Sequence, residues 1–150
     1  MYQGMLHAHS GLRWVVLILL LLAIFRHATA GDKPYGRKNG LLLTISADIM
    51  LLIGIYLYFA STAWGYVSFQ GRSFGEVMKD PVARFFAVEH LAGMIIAIAL
   101  LHVGKAQGKK NIPDAARHRR ALIFYVISLL LMLASVPWPF RMVGAGRGWF

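Results

Sequence analysis

The chain contains no cysteine. That excludes structural disulfides, Cys-ligated zinc, iron–sulfur clusters and thiolate nucleophiles. Covalent attachment of a c-type haem is excluded as well, because it needs a Cys-x-x-Cys-His motif. Acidic residues are scarce: six, against sixteen Lys and Arg, for a formal net charge of +10. Such an excess can mark a nucleic-acid binder, but here it is not gathered into a basic arm or patch. Arg26, Lys33, Arg37 and Lys38 lie between the first two apolar runs, and Lys105, Lys109, Lys110, Arg117, Arg119 and Arg120 between the last two. Enzyme signatures are missing too. There is no His-Glu-x-x-His metal motif, no phosphate-binding glycine loop, and no spacing that supports a Ser–His–Asp triad. The run Gly144-Ala145-Gly146-Arg147-Gly148 reads as part of a loose tail, because no strand precedes it.

What is abundant is apolar surface. Hydrophobic residues make up 58% of the chain and charged ones 15%. A soluble domain of this size cannot hide so much, whereas a bilayer takes about 20 residues per helical span. Four runs, at about 9–28, 40–60, 81–104 and 115–137, predict an all-α, four-helix transmembrane bundle that uses the whole chain, 1–150, as one domain. The ten basic residues of the two loops then share one side. This is the positive-inside pattern, which puts those loops in the cytoplasm and both termini outside, in the periplasm. The expectation is a multi-pass protein of the bacterial inner membrane, with the lipid bilayer as partner and no nucleic acid. The N-terminal run does not read as a cleaved signal: it is long, lacks a basic lead and is followed by basic residues that stop transfer.

Each run carries polar residues that hydrocarbon does not tolerate without a reason. From Trp14 to Phe25 the uncharged stretch is only about 18 Å of helix, so either His9 and Arg13 or Arg26 and His27 enter the membrane edge. At 100° per residue His9, Arg13, Val16, Leu20 and His27 share one face. The second run opens after Asn39-Gly40 and is apolar apart from Thr44, Ser46 and a solitary Asp48. Asp48 reads as a protonated acid satisfied by Thr44 or a neighbouring helix, as the partner of a cation, or as a proton-relay or quinone-site acid. In the connection that follows, a short interfacial helix is expected around Phe74–Lys79. Asp80-Pro81 is a strong helix start. In the third run Gly93, Ala97 and Gly104 form a small-residue stripe that lets a helix or a flat ligand approach closely. The fourth run is ended by Pro137-Trp138-Pro139.

Depth arithmetic brings four residues together near the outer surface: His9 and Arg13 from the first span, Glu89 and His90 from the third. Two imidazoles on two helices can clamp a haem b iron. Arg13 or Arg84 can then pair with the haem propionates or with Glu89, and the macrocycle can lie against Gly93 and Ala97. The competing reading is structural. Glu89 pairs with Arg13 as a buried lock, His90 bonds a backbone carbonyl, and His9 stays solvated. His7 reads as a solvated lead residue or as a substitute for His9. At the other side His27, His102 and His118 read as interfacial or solvated. Their rises from His9 and His90, about 27 and 18 Å, do not match as a second haem site requires. Met94 and Met132 read as apolar filler.

His7-Ala8-His9-Ser10 with Arg13-Trp14, Lys79-Asp80-Pro81 with Arg84-Phe85 and Val88-Glu89-His90, and Val136-Pro137-Trp138-Pro139-Phe140-Arg141 together resemble a family of small bacterial four-helix membrane proteins catalogued as cytochrome b-like. The resemblance covers nearly the whole chain. It implies a haem-binding membrane protein, or a haem- or quinone-linked subunit, working in electron transfer. The alternative is a non-enzymatic accessory subunit of a larger membrane complex of the respiratory chain. Both stand ahead of a free-standing enzyme. In the family pattern the second span often carries a histidine where this chain has Asp48, so if that histidine is a haem ligand in the family, haem is held differently here or not at all.

Overall fold

The computed structural model describes residues 1–36, 38, 40–144 and 148. Arg37, Asn39 and tail positions 145–147, 149 and 150 lie outside the described residues. So do the expectations that fall on them: Asn39 as a helix start and the glycine-rich tail. Among the described residues there is no strand. Four helices are long and apolar enough to cross a membrane: Tyr2–Ala28, Leu41–Ala60, Pro81–Lys109 and Asp114–Ser135. They are called here the first to fourth spans. The shortest covers about 30 Å, the thickness of a bilayer core.

The boundaries have local causes. The first span begins at Tyr2 rather than near His9, and the Tyr2 hydroxyl donates to Ser61 Oγ at 2.9 Å, pinning the early turn to the end of the second span. Gly40 precedes the second span with φ 74°, a left-handed conformation, and a Cβ there would stand 2.5 Å from the Tyr125 hydroxyl. Glycine is therefore required twice over. The interfacial helix falls at Phe74–Lys79 as expected, with a capping box in which Ser73 Oγ accepts from the Glu76 N–H and the Ser73 N–H donates to Glu76 Oε2 at 2.6 Å. Asp80 Oδ1 accepts from the N–H groups of Val82 (3.0 Å) and Ala83 (3.1 Å), opening the third span at Pro81. The fourth span stops at Ser135, earlier than expected, because Val136 is extended ahead of Pro137.

The spans run up and down around a ring in chain order, each packed on two neighbours, with the seam between second and third the thinnest and that between third and fourth the most extensive. Small residues explain the close seam. A Cβ on Gly93 would collide with Ser135, Ala97 is fully buried with its carbonyl accepting from Ser128 Oγ at 2.8 Å, and Gly104 lies under the Tyr125 ring. The Gly93–Ala97–Gly104 stripe is therefore a helix–helix seam and has no room for a flat ligand, which corrects one of the two uses expected of it. Val16, Leu20, Ala47, Leu101, Tyr125 and Met132 form the middle of the core, while Ile18, Leu22, Phe25 and Leu130 point outward, as lipid-facing residues do. The end holding Tyr2, Ser61–Asp80 and Ser135 is termed the terminal end, and the opposite one the basic end.

Candidate functional site

The third span does not enter the bundle as a plain α-helix. Phe85–Glu89 forms a π-turn, one residue wider than an α-turn. This i→i+5 spacing suits the ion pair it carries: Arg84 Nε donates to Glu89 Oε1 at 2.7 Å, and both side chains stay on the exposed surface. A second Arg84 nitrogen donates to the Met78 carbonyl at 3.2 Å. Glu89 thus turns away from the bundle and meets Arg84, so the expected outer cluster loses it. The wider turn shifts the register, and His90 turns toward the fourth span.

His90 Nδ1 lies 2.6 Å from the Ser135 carbonyl. A carbonyl only accepts, so Nδ1–H is the donor, and in the neutral imidazole Nε2 is the unprotonated nitrogen. His9 stands across from it, ring centres 6.5 Å apart and planes at 74°. Gly54 of the second span makes room for His9, since a Cβ there would come within 3.0 Å of its Cε1. The Nδ1 of His9 is buried and makes no well-formed hydrogen bond, the Met50 carbonyl being the polar group beside the ring. One turn deeper, the Arg13 guanidinium carbon lies 5.3 Å from the Trp14 ring centre and 5.6 Å from that of Trp138. The two indoles pack on each other, ring centres 5.9 Å apart, and Arg13 lies against both; Glu89 pairs with Arg84, so the buried Arg13–Glu89 lock does not form. His7 is exposed, as expected of a lead residue.

Between these groups lies a cavity of about 390 Å³, bounded by the first three spans and by Val136 and Pro137. That is within the usual 300–1,000 Å³ range of small-molecule sites, roughly. Leu6, Met50, Leu57, Trp64, Phe86 and Met94 are among its apolar lining, and His9, His90, Arg13, Ser10, Ser61, Tyr2 and Tyr58 bring polar groups to it. The spacing can be tested against ligation. A metal bound by two imidazole nitrogens at about 2 Å each, with about 1.1 Å from ring centre to nitrogen, needs centres roughly 6 Å apart. The observed 6.5 Å is within a few tenths of an ångström of this. The His90 bond to a carbonyl is the support that ligating imidazoles ordinarily have. Among the described residues no three His, Asp or Glu side chains converge to hold a bare metal ion.

The basic end overturns a second expectation. His27 and His118 are not solvated: they are 4% and 3% exposed, and their Nδ1 atoms lie 2.7 Å apart. Tyr35 stacks on both rings and its hydroxyl donates to the Gly104 carbonyl at 3.3 Å. Burial pushes the Tyr35 phenol above the usual tyrosine range. His118 hides in the charged run Arg117-His118-Arg119-Arg120, yet it heads a stripe of His118, Ala121, Tyr125, Ser128 and Met132 at alternating three- and four-residue steps. That period was the available signal. His102 is exposed but partnered, its Nε2 lying 2.8 Å from Asp48 Oδ1. The solitary acid of the second span therefore has a histidine, and Thr44 serves Lys105 instead, accepting from its Nζ at 3.1 Å.

No family model, curated protein or solved structure matches this chain.

Proposed function

We propose that the chain is a b-type haem protein of the bacterial inner membrane, in which His9 and His90 would hold the haem iron, with electron transfer as its role. The observation that carries this reading is the convergence of two imidazoles from two spans on one apolar cavity, at a spacing one metal can bridge. In this reading the positive-inside pattern of the loops puts the basic end in the cytoplasm and the cavity in the periplasmic half. Bound there, haem supplies a one-electron couple. The chain's own residues do the rest. Ser135 orients His90, and the gap at Gly54 admits His9. Arg13, lying against Trp14 and Trp138, would offer a positive charge to a propionate carboxylate. Trp64 and Phe86 pack together, ring centres 5.6 Å apart, and form part of the apolar wall.

The test is an absorption spectrum, oxidised and dithionite-reduced, of protein purified in detergent from haem-replete cells. A Soret band is expected, lost in His9→Ala and in His90→Ala with helicity retained. Gly54→Leu, which presses on His9 without removing a ligand, is expected to weaken it. A colourless, helical wild-type preparation refutes the proposal.

A further inference from the structure

We propose that the seam between the second and third spans is the interface of a homodimer, held by reciprocal bonds between Asp48 of each copy and His102 of the other. The pair sits about 10 Å in from the basic end of the second span and about 5 Å inside Lys105 on the third, which places it at the basic edge of a core of about 30 Å. Its side chains are nevertheless 46% and 47% exposed on the outer surface of the bundle. An acid–imidazole pair facing lipid tails is costly, and a short Asp side chain cannot reach the headgroups. Among the described residues each side chain has one hydrogen-bond partner, the other. Both therefore keep capacity: the carboxylate accepts more than one bond, and the imidazole has a second nitrogen.

The face around the pair points to a protein rather than lipid. On the second span Ile45, Asp48 and Leu52 follow one another at three- and four-residue steps. On the third, Ala92, Ile95, Ala99 and His102 do the same. This alternation is that of a packed helix seam. All the apolar members are exposed. Counted from the Asp48–His102 pair along the two antiparallel spans, Leu52 falls level with Ala99, and an alanine lets another helix come close.

The partner is a second copy because this surface is complementary to itself. A partner of one charge sign would leave either Asp48 or His102 unmatched, whereas a second copy supplies both. The two residues already lie at one depth in a single chain. A two-fold axis along the membrane normal keeps that depth and brings each acid to the other copy's imidazole. The four groups then alternate carboxyl and imidazole around the axis, as an isologous contact demands.

The chain lacks cysteine, so single cysteines report cleanly. Ile45→Cys and Ala99→Cys on the seam are compared, in oxidised native membranes, with Leu130→Cys on the lipid-facing side of the fourth span. Light scattering in lipid nanodiscs gives the mass of the unaltered 16.7 kDa chain. The expected results are a dimeric mass, cross-linking at the two seam positions only, dimerisation weakened at least tenfold by Asp48→Asn, and recovery when Asp48→His is combined with His102→Asp. A monomeric wild type overturns the proposal, as does equal cross-linking at position 130. A monomer that retains a quinone or phospholipid in an Asp48-dependent way assigns the seam to that ligand and overturns it too. The haem spectrum is read separately, so failure of one proposal is distinguishable from failure of the other.

Discussion

The buried histidine pair at the basic end offers a double-mutant test with a calculable outcome. His118 Nε2–H donates to the Lys33 carbonyl at 3.0 Å, because a carbonyl can only accept. In neutral His118 the Nδ1 lone pair must then accept from His27 Nδ1–H across 2.7 Å. This leaves His27 Nε2 buried without a hydrogen bond. Replacing His27 by Phe keeps a ring for Tyr35 and Tyr125 to pack on but strands the His118 acceptor. A stranded buried group costs about 1–3 kcal/mol, while interhelical hydrogen bonds in membrane proteins average about 0.6 and reach about 1.7 kcal/mol. With both rings almost fully buried the upper part of that range applies, partly offset because the unpartnered His27 Nε2 also disappears. We expect about 1 kcal/mol for His27→Phe. His118→Phe also abandons the Lys33 carbonyl, and about 2 kcal/mol is expected. Once one partner is gone, removing the other loses no shared bond. The double variant should therefore be more stable than the sum of the singles implies, by about 1 kcal/mol. Reversible unfolding in mixed micelles, followed by circular dichroism, gives all four corners of the cycle. Additivity within about 0.3 kcal/mol would refute the shared bond.

Two further outcomes follow from the packing and the caps. Gly93→Leu should destabilise by about 3 kcal/mol or more in the same unfolding assay, since its side chain must enter the space Ser135 occupies, whereas Leu21→Ile on the lipid face should stay within about 0.5 kcal/mol. Hydrogen bonds from Ser73 hold the Glu76 carboxyl below the usual carboxylate range, and the Ala83 N–H, with help from Arg72, does the same for Asp80. A folded-state pKa below the unfolded one gives stabilisation that is present above the unfolded value and lost as pH falls through the folded one. Amide protection over 73–84 should therefore hold at neutral pH and fall only below about pH 4; loss on raising the pH instead would contradict the cap geometry.

The sequence carried the coarse plan for reasons that need no neighbour. Backbone hydrogen bonding in lipid demands helices, their length is set by the bilayer, and Lys and Arg mark the loops, so four spans, their order and their approximate ends were legible. Depth was legible as well, because 1.5 Å per residue fixes it. Hence His9 at the outer edge, and Arg13 close to the depth of His90, could be placed in one cluster before any packing was known, and the Asp48–His102 pair could have been found from the same arithmetic.

What only the tertiary structure decided is the direction in which each side chain points around its helix. One π-turn at Phe85–Glu89 changes that direction for everything after it, sending Glu89 out to Arg84 and His90 to the Ser135 carbonyl. The ring order put the fourth span, and no ligand, against Gly93 and Ala97. It brought Trp138 from beyond the fourth span to Arg13, and His118 from within a charged run to His27. Rise along a helix is a local property of the chain. Azimuth and partner depend on which helices become neighbours, and that is settled only when all four pack together.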